Sequence, residues 1–155
     1  MKKFVTAAMA LAVAASFAII PAEASKPRKK RAPRLPPAVQ VHVDISSQAM
    51  SVRVNGGHYA SWRVSTGRAG YYTPRGSYGV KRLAKMHYSR KYDNAPMPHS
   101  VFFHGGYAIH ATYSVKQLGR PASHGCVRLA PGNAAALYAL VQRHGASRTR
   151  ITLTN

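Results

Sequence analysis

From Val39 to Ile45 the chain alternates apolar Val39, Val41, Val43 and Ile45 with polar Gln40, His42 and Asp44. A period of two gathers the apolar side chains on one face of a strand, whereas a helix would scatter them around its axis. The folded part of the chain is therefore predicted to begin with a half-buried strand. Residues 49–54 and 58–65 read as two more strands joined through Asn55, Gly56 and Gly57. TPRG at 73–76 reads as a turn and residues 77–83 as a strand. Residues 84–100 hold neither period and are predicted as a long surface loop. Short strands are expected at 101–103 and 107–110 across HGG, at 126–129 ahead of Pro131, and at 149–153. Only residues 133–143 have helical spacing, with Leu137, Leu140, Val141 and His144 on one face and Gly145 as the stop. Many short strands and one late helix predict a mainly β sandwich or barrel with a helix toward the C-terminal side.

Charge narrows the chemistry. The 155 residues carry 23 Lys and Arg against three acids, a formal charge of +20, while an apolar content of 46% argues for a folded core rather than a disordered polycation. Lys2 and Lys3 precede an apolar run from Phe4 to Ile20, followed by Pro21 and the small-residue pattern Ala22, Glu23, Ala24. Residues 1–24 are thus predicted to be a secretory signal with its cleavage site. The run is short for a membrane span of about 20 apolar residues, so no transmembrane anchor is expected to remain. Cleavage after Ala24 removes two lysines and Glu23, leaving +19 and two carboxylates, Asp44 and Asp93. Carboxylate-pair glycosidases, aspartic proteases and Glu-assisted zinc hydrolases are disfavoured by that scarcity. Residues 25–38 contain six basic residues and four prolines and read as a solvated tether that could also attach to anionic envelope polymers. One domain is left, 39–155. No nucleic-acid-binding motif accompanies the charge, and no nucleic-acid partner is expected.

The single cysteine, Cys126, has no partner for an intramolecular disulfide, and in an exported protein a lone thiol must be buried or used. If a strand starts at Cys126, Cys126 and Arg128 share one face and Val127 and Leu129 fill the core behind them. Gly125 removes a side chain beside the sulfur, so substrate could approach the backbone closely. The N–H groups of His124, Gly125 and Cys126 could form an oxyanion hole. His110 ends a predicted strand and could meet Cys126 across the sheet. A nearby His is expected to draw the thiol toward thiolate. A metal site from His104, His110, His124 and Cys126 fits no standard zinc spacing. His104 or His124 could be hydrogen-bonded scaffolding, and His42, His58, His87 and His144 read as surface or packing residues.

SHGCVRL at 123–129 with the upstream IHAT at 109–112 resembles the signature of the L,D-transpeptidase catalytic domain, the YkuD type, which remodels bacterial peptidoglycan. VDISSQAMSVRVNGG is similar to the family's opening hairpin, STGRAGYYTPRG to its glycine-rich segment and LAPGNAAALYALV to its helix after the cysteine. The resemblance spans roughly residues 39–154. It implies that Cys126 is the nucleophile and His110 the general base, with the backbone carbonyl of Ala111 orienting His110. It further implies that His124, Gly125 and Cys126 shape the oxyanion hole and that Arg128 and Ser123 contact substrate, Arg128 through a carboxylate. The implied substrates are peptidoglycan stem peptides in the periplasm or cell envelope of a bacterium, and the implied mechanism uses no metal or other cofactor. The expected reaction transfers an acyl group to an amine. An L,D-carboxypeptidase of the same fold, or a non-catalytic cationic envelope-binding module, is the alternative.

Overall fold

The structure, a computed structural model, describes residues 35–155. The predicted signal at 1–24, and residues 25–34 of the predicted tether, lie outside the described residues. One sheet contains β1 (Val39–Asp44), β2 (Ala49–Val54), β3 (Gly57–Arg63), β4 (Gly76–Gly79) and β9 (Thr149–Thr154) in the order β3-β2-β1-β9-β4. The other contains β5 (Arg82–Ser89), β6 (Ala95–His104), β7 (Tyr107–Ala111) and β8 (Val127–Leu129) in sequence order. The one α-helix among the described residues, α1 (Pro131–His144), begins with proline at its first turn and ends where Gly145, at φ 91°, donates its N–H to the Val141 carbonyl. The fold is mostly β, as the alternation predicts.

The alternation of β1 becomes burial directly: Val39, Val41 and Val43 are buried while Gln40 and His42 are exposed. Those valines pack with Met50 and Val52 of β2, Ile151 and Leu153 of β9, Phe103 of β6, Ile109 of β7, Val127 and Leu129 of β8, and Leu137 and Val141 of α1. One core thus joins both sheets and the helix. Asp44 spends its charge at the β1–β2 turn, where Oδ1 accepts from the Ser46 N–H at 2.9 Å, the Ser46 hydroxyl at 2.6 Å and the Ser47 N–H at 3.2 Å. These donors hold its carboxyl down at about 2.

Three sequence expectations are corrected. Residues 84–100 are not a loop: most of them build the β5–β6 hairpin, with its turn at residues 90–94. The periodicity fails there because Met97 and Phe102, five residues apart, share one buried cluster, and His99 between them has φ 51°. Pro96 and Pro98 are tolerated because this half of β6 pairs only with β5, so their missing N–H groups fall on an unpaired edge. The strand expected at 77–83 is divided between sheets, Ser77 and Tyr78 pairing with β9 and Arg82 and Leu83 with β6. The strand expected at 126–129 begins one residue later, with Cys126 preceding β8.

Phe103 is fully buried in the shared core. Phe103→Ala is expected to cost about 3–5 kcal/mol of stability, read as a lowered urea midpoint at an unchanged slope. A cost below about 1 kcal/mol would contradict the assignment of the ring to the core that ties sheets and helix together.

Candidate active site

The site is built on the parallel pairing of β7 with β8, in which His110 lies opposite Arg128 and Ile109 opposite Val127. Ile109, Val127 and Leu129 point into the core. His110 and Arg128 therefore face the other way, and with Cys126, one residue before β8, they line a cleft of about 690 Å³. The hairpin β5–β6 also lines this cleft, through Arg82, His87, Tyr88, Arg90 and Tyr92.

The loop carrying Cys126 is held by its own neighbours. Ser123 Oγ accepts from the Gly125 N–H at 2.9 Å and donates to the Cys126 carbonyl at 2.6 Å. Thr73 Oγ1 donates to the Gly125 carbonyl at 2.9 Å and accepts from the Gly67 N–H at 2.8 Å. The Ser123 and Ala122 N–H groups both donate to the Thr66 carbonyl, and Thr66 is fixed from behind by the buried side chain of Gln48. Three expectations change. Ser123 is fully buried with its hydroxyl bonds made inside the loop, so it braces the loop rather than presenting a hydroxyl to substrate. The Gly125 N–H is already taken, so an oxyanion would look to the N–H groups of Cys126 and His124. The space beside Gly125 is also not left for substrate: a Cβ there would lie 2.6 Å from the Tyr72 carbonyl and 2.7 Å from the Tyr107 ring, and its φ is 113°. Glycine is required at that position by both strain and space.

His110 is buried, and its Nδ1 lies 2.7 Å from the Ala111 carbonyl. A carbonyl only accepts, so Nδ1 carries the proton and the lone pair is left on Nε2. Burial lowers the pKa of His110 to about 4 against the opposing effect of that carbonyl, and the charges of Arg128 and His87 lower it further. Burial also raises the pKa of the Cys126 thiol, opposed by a backbone hydrogen bond from Ala108 and by Arg128. The thiol donates weakly to the Gly106 carbonyl at 4.0 Å. Burial thus favours the uncharged form of both groups, against the thiolate expected from proximity alone. Arg128 is half-buried, with Nη1 3.3 Å from the Ala122 carbonyl and 3.5 Å from Gln117 Oε1.

His124 lines the same cleft as His110. Its ring is stacked on Tyr92 at 4.4 Å and 14°, and Tyr71 meets it edge-on at 4.5 Å. Burial, with Arg68 and Arg128, lowers its pKa. Sequence reasoning missed both tyrosines and also His87, which lines the cleft and stands edge-on to Phe102 at 5.1 Å. Two tyrosines flanked by Arg68 and Lys91 were the available signal. His104 packs on Tyr78 and Tyr107, apart from the cysteine loop.

The family model of the L,D-transpeptidase catalytic domain, YkuD, matches residues 38–151. An L,D-transpeptidase from Mycobacterium smegmatis superposes with a TM-score of 0.68 at 25% identity, covering 77% of this chain and 59% of that one. One from Xylanimonas cellulosilytica gives 0.62 at 28%, covering 79% and 63%. An L,D-transpeptidase solved in complex with imipenem gives 0.67 at 22%, covering 76% and 59%, a likeness of fold. The chain spans about three fifths of the length of these proteins. No functionally curated protein matches it.

Because His110 titrates lower in the fold than in the unfolded chain, the unfolded chain binds the extra proton between about pH 4 and 6.5. Its contribution to stability is fully present above about pH 6.5 and is lost as the pH falls through 4, about 3 kcal/mol in all. His110→Gln is expected to shrink the difference in urea stability between pH 7 and pH 4.5 by most of that amount. An equal difference in both proteins would contradict a neutral, buried His110.

Proposed function

The chain belongs to the L,D-transpeptidase catalytic-domain family, and from that premise we propose that it is an exported cysteine L,D-transpeptidase acting on peptidoglycan stem peptides in the cell envelope. The observation that carries this reading is the neutral Cys126 and His110 pair in one cleft, the imidazole oriented by a carbonyl so that Nε2 is free to take a proton. No carboxylate is needed to orient it, which suits a chain with so few.

In the first step the Cys126 thiol gives its proton to His110 Nε2 as sulfur attacks the carbonyl between the L-centre of meso-diaminopimelate and the terminal D-alanine. The oxyanion is met by the N–H groups of Cys126 and His124. The C–N bond breaks, His110 returns the proton to the departing D-alanine amine, and a thioester remains. An amine then attacks the thioester, His110 taking its proton and passing it to the departing sulfur. An amine from a second stem yields a 3-3 crosslink, one from an envelope protein an anchored protein, a D-amino acid an exchanged stem, and water the carboxypeptidase product. Arg128 holds a substrate carboxylate. Residues 1–24 direct export, and residues 25–38 tether the catalytic domain of residues 39–155 to anionic polymers.

Imipenem is expected to add its mass to Cys126 of the protein, and Cys126→Ala to abolish both that adduct and turnover of tetrapeptide muropeptides while leaving the fold intact. His110→Ala should slow acylation by about 10²- to 10⁴-fold. Intact-protein mass spectrometry reads both, and an unmodified, inactive wild type would favour a cationic binding module instead. A chain beginning at Ala38 drops the charge from +19 to +13. It is expected to bind sacculi more weakly and with less salt dependence, yet to turn over soluble stem peptides unchanged. Equal sacculus binding across a salt series would make residues 25–37 an inert spacer.

A further inference from the structure

The cleft has an electrostatic gap. When His110 takes the thiol proton it becomes a cation whose surroundings are already cationic. Arg128 faces it from β8, Arg82 and His87 line the same cleft from β5, and Arg90 and Lys91 do so from the hairpin turn. His124, on the cysteine loop, and the phenols of Tyr88, Tyr92, Tyr107 and Tyr113 are the other titratable groups lining the cleft with Cys126. Of the two carboxylates in the described residues, Asp44 is bound at the β1–β2 turn and Asp93, at the hairpin tip, does not line the cleft. The group that orients His110 is a carbonyl, which carries no net charge. Arg82 is also held in place, its guanidinium carbon 3.9 Å from the centre of the Phe102 ring.

We propose that the missing counter-charge is supplied by the substrate: a carboxylate on the acyl residue itself, held between Arg128 and the hairpin cations Arg82 and Arg90, offsets the imidazolium of His110 in both half-reactions. This rests on the reading of Cys126 and His110 as nucleophile and base. The terminal carboxylate cannot serve throughout, because it departs with D-alanine in the first step. The side-chain carboxylate of the third stem residue remains attached to the thioester and stays beside His110 when the base is needed again. A free acid at that position therefore acts on the chemical step as well as on binding, and converting it to an amide removes both. The depressed pKa of His110 agrees with this, since an anion docked beside Arg128 would relieve one of its causes.

The test compares two tetrapeptide stems that differ only in whether the side chain of the third residue ends in a carboxylate or a primary amide. Formation of the Cys126 acyl-enzyme is followed by rapid quench and intact mass, with imipenem as a second acyl donor. For the acid stem, the acid limb of the maximal acylation rate is expected at least one pH unit above that of the rate at limiting substrate, since the first reports the complex and the second the free enzyme. For the amide stem the two limbs should coincide, and the maximal rate at pH 7 should fall at least tenfold. Arg82→Gln/Arg90→Gln, two substitutions outside the core, should bring the acid-to-amide ratio of maximal rates toward one; a ratio unchanged from the wild type would contradict a carboxylate held by these two side chains. Equal maximal rates for acid and amide, with only the half-saturating concentration changed, would overturn the proposal. So would acylation by imipenem but by neither stem. A protein acylated by no donor at all would overturn the underlying assignment of Cys126, and the counter-charge with it.

Discussion

Three residues of parallel pairing between β7 and β8 govern the geometry of the cleft. A ladder that short has little stability alone, and β8 is held on its other edge as well, where Ser65 exchanges two backbone hydrogen bonds with Arg128 at 2.8 and 3.1 Å. Pinned from both sides, the strand sends Val127 and Leu129 into the core and leaves Arg128 facing outward opposite His110. A slip of one residue would exchange the two faces, burying the guanidinium and exposing the valine. Packing in the core and placement of the reactive groups are therefore one constraint seen from two sides.

The same arrangement sets the resting chemistry. A cleft lined by arginines and histidines would ionise a solvated thiol, but here burial acts more strongly on Cys126 than the neighbouring positive charge does. Burial likewise keeps His110 uncharged, and its carbonyl partner fixes which nitrogen holds the proton. An uncharged pair does not require the cleft to stabilise a buried ion pair before substrate arrives, and a neutral thiol is the slower target for oxidants.

The elements that could be read in advance are those whose environment is uniform along their length. β1 alternates cleanly because one whole face is buried, and α1 shows its helical stripe because Leu137, Leu140 and Val141 meet a single core. Cys126, His110, Gly125 and Arg128 were legible because their types and spacing are chemically unusual. The β5–β6 hairpin was not, since its two faces exchange roles near His99 and two prolines break the pattern. Invisible for the same reason were the partners it brings to the cleft, Tyr92 and His87, whose neighbours are fixed by pairing between strands and not by local sequence. Ser123 looked like a group available to substrate because nothing in a linear motif shows that its hydroxyl is already engaged on both sides.

β9 carries a consequence of another kind. It sits between β1 and β4, parallel to the former and antiparallel to the latter, so residue 39 lies beside residue 149. Until that stretch has been synthesised, β1 lacks a neighbour on one edge, β4 has no strand to pair with, and the valines of β1 have no cover from Ile151 and Leu153. Such distant pairing delays folding, because the intervening chain must be ordered before the contacts that reward it can form. A nascent chain of this topology can close its five-stranded sheet only once residues 149–154 have been made, however early its local hairpins form.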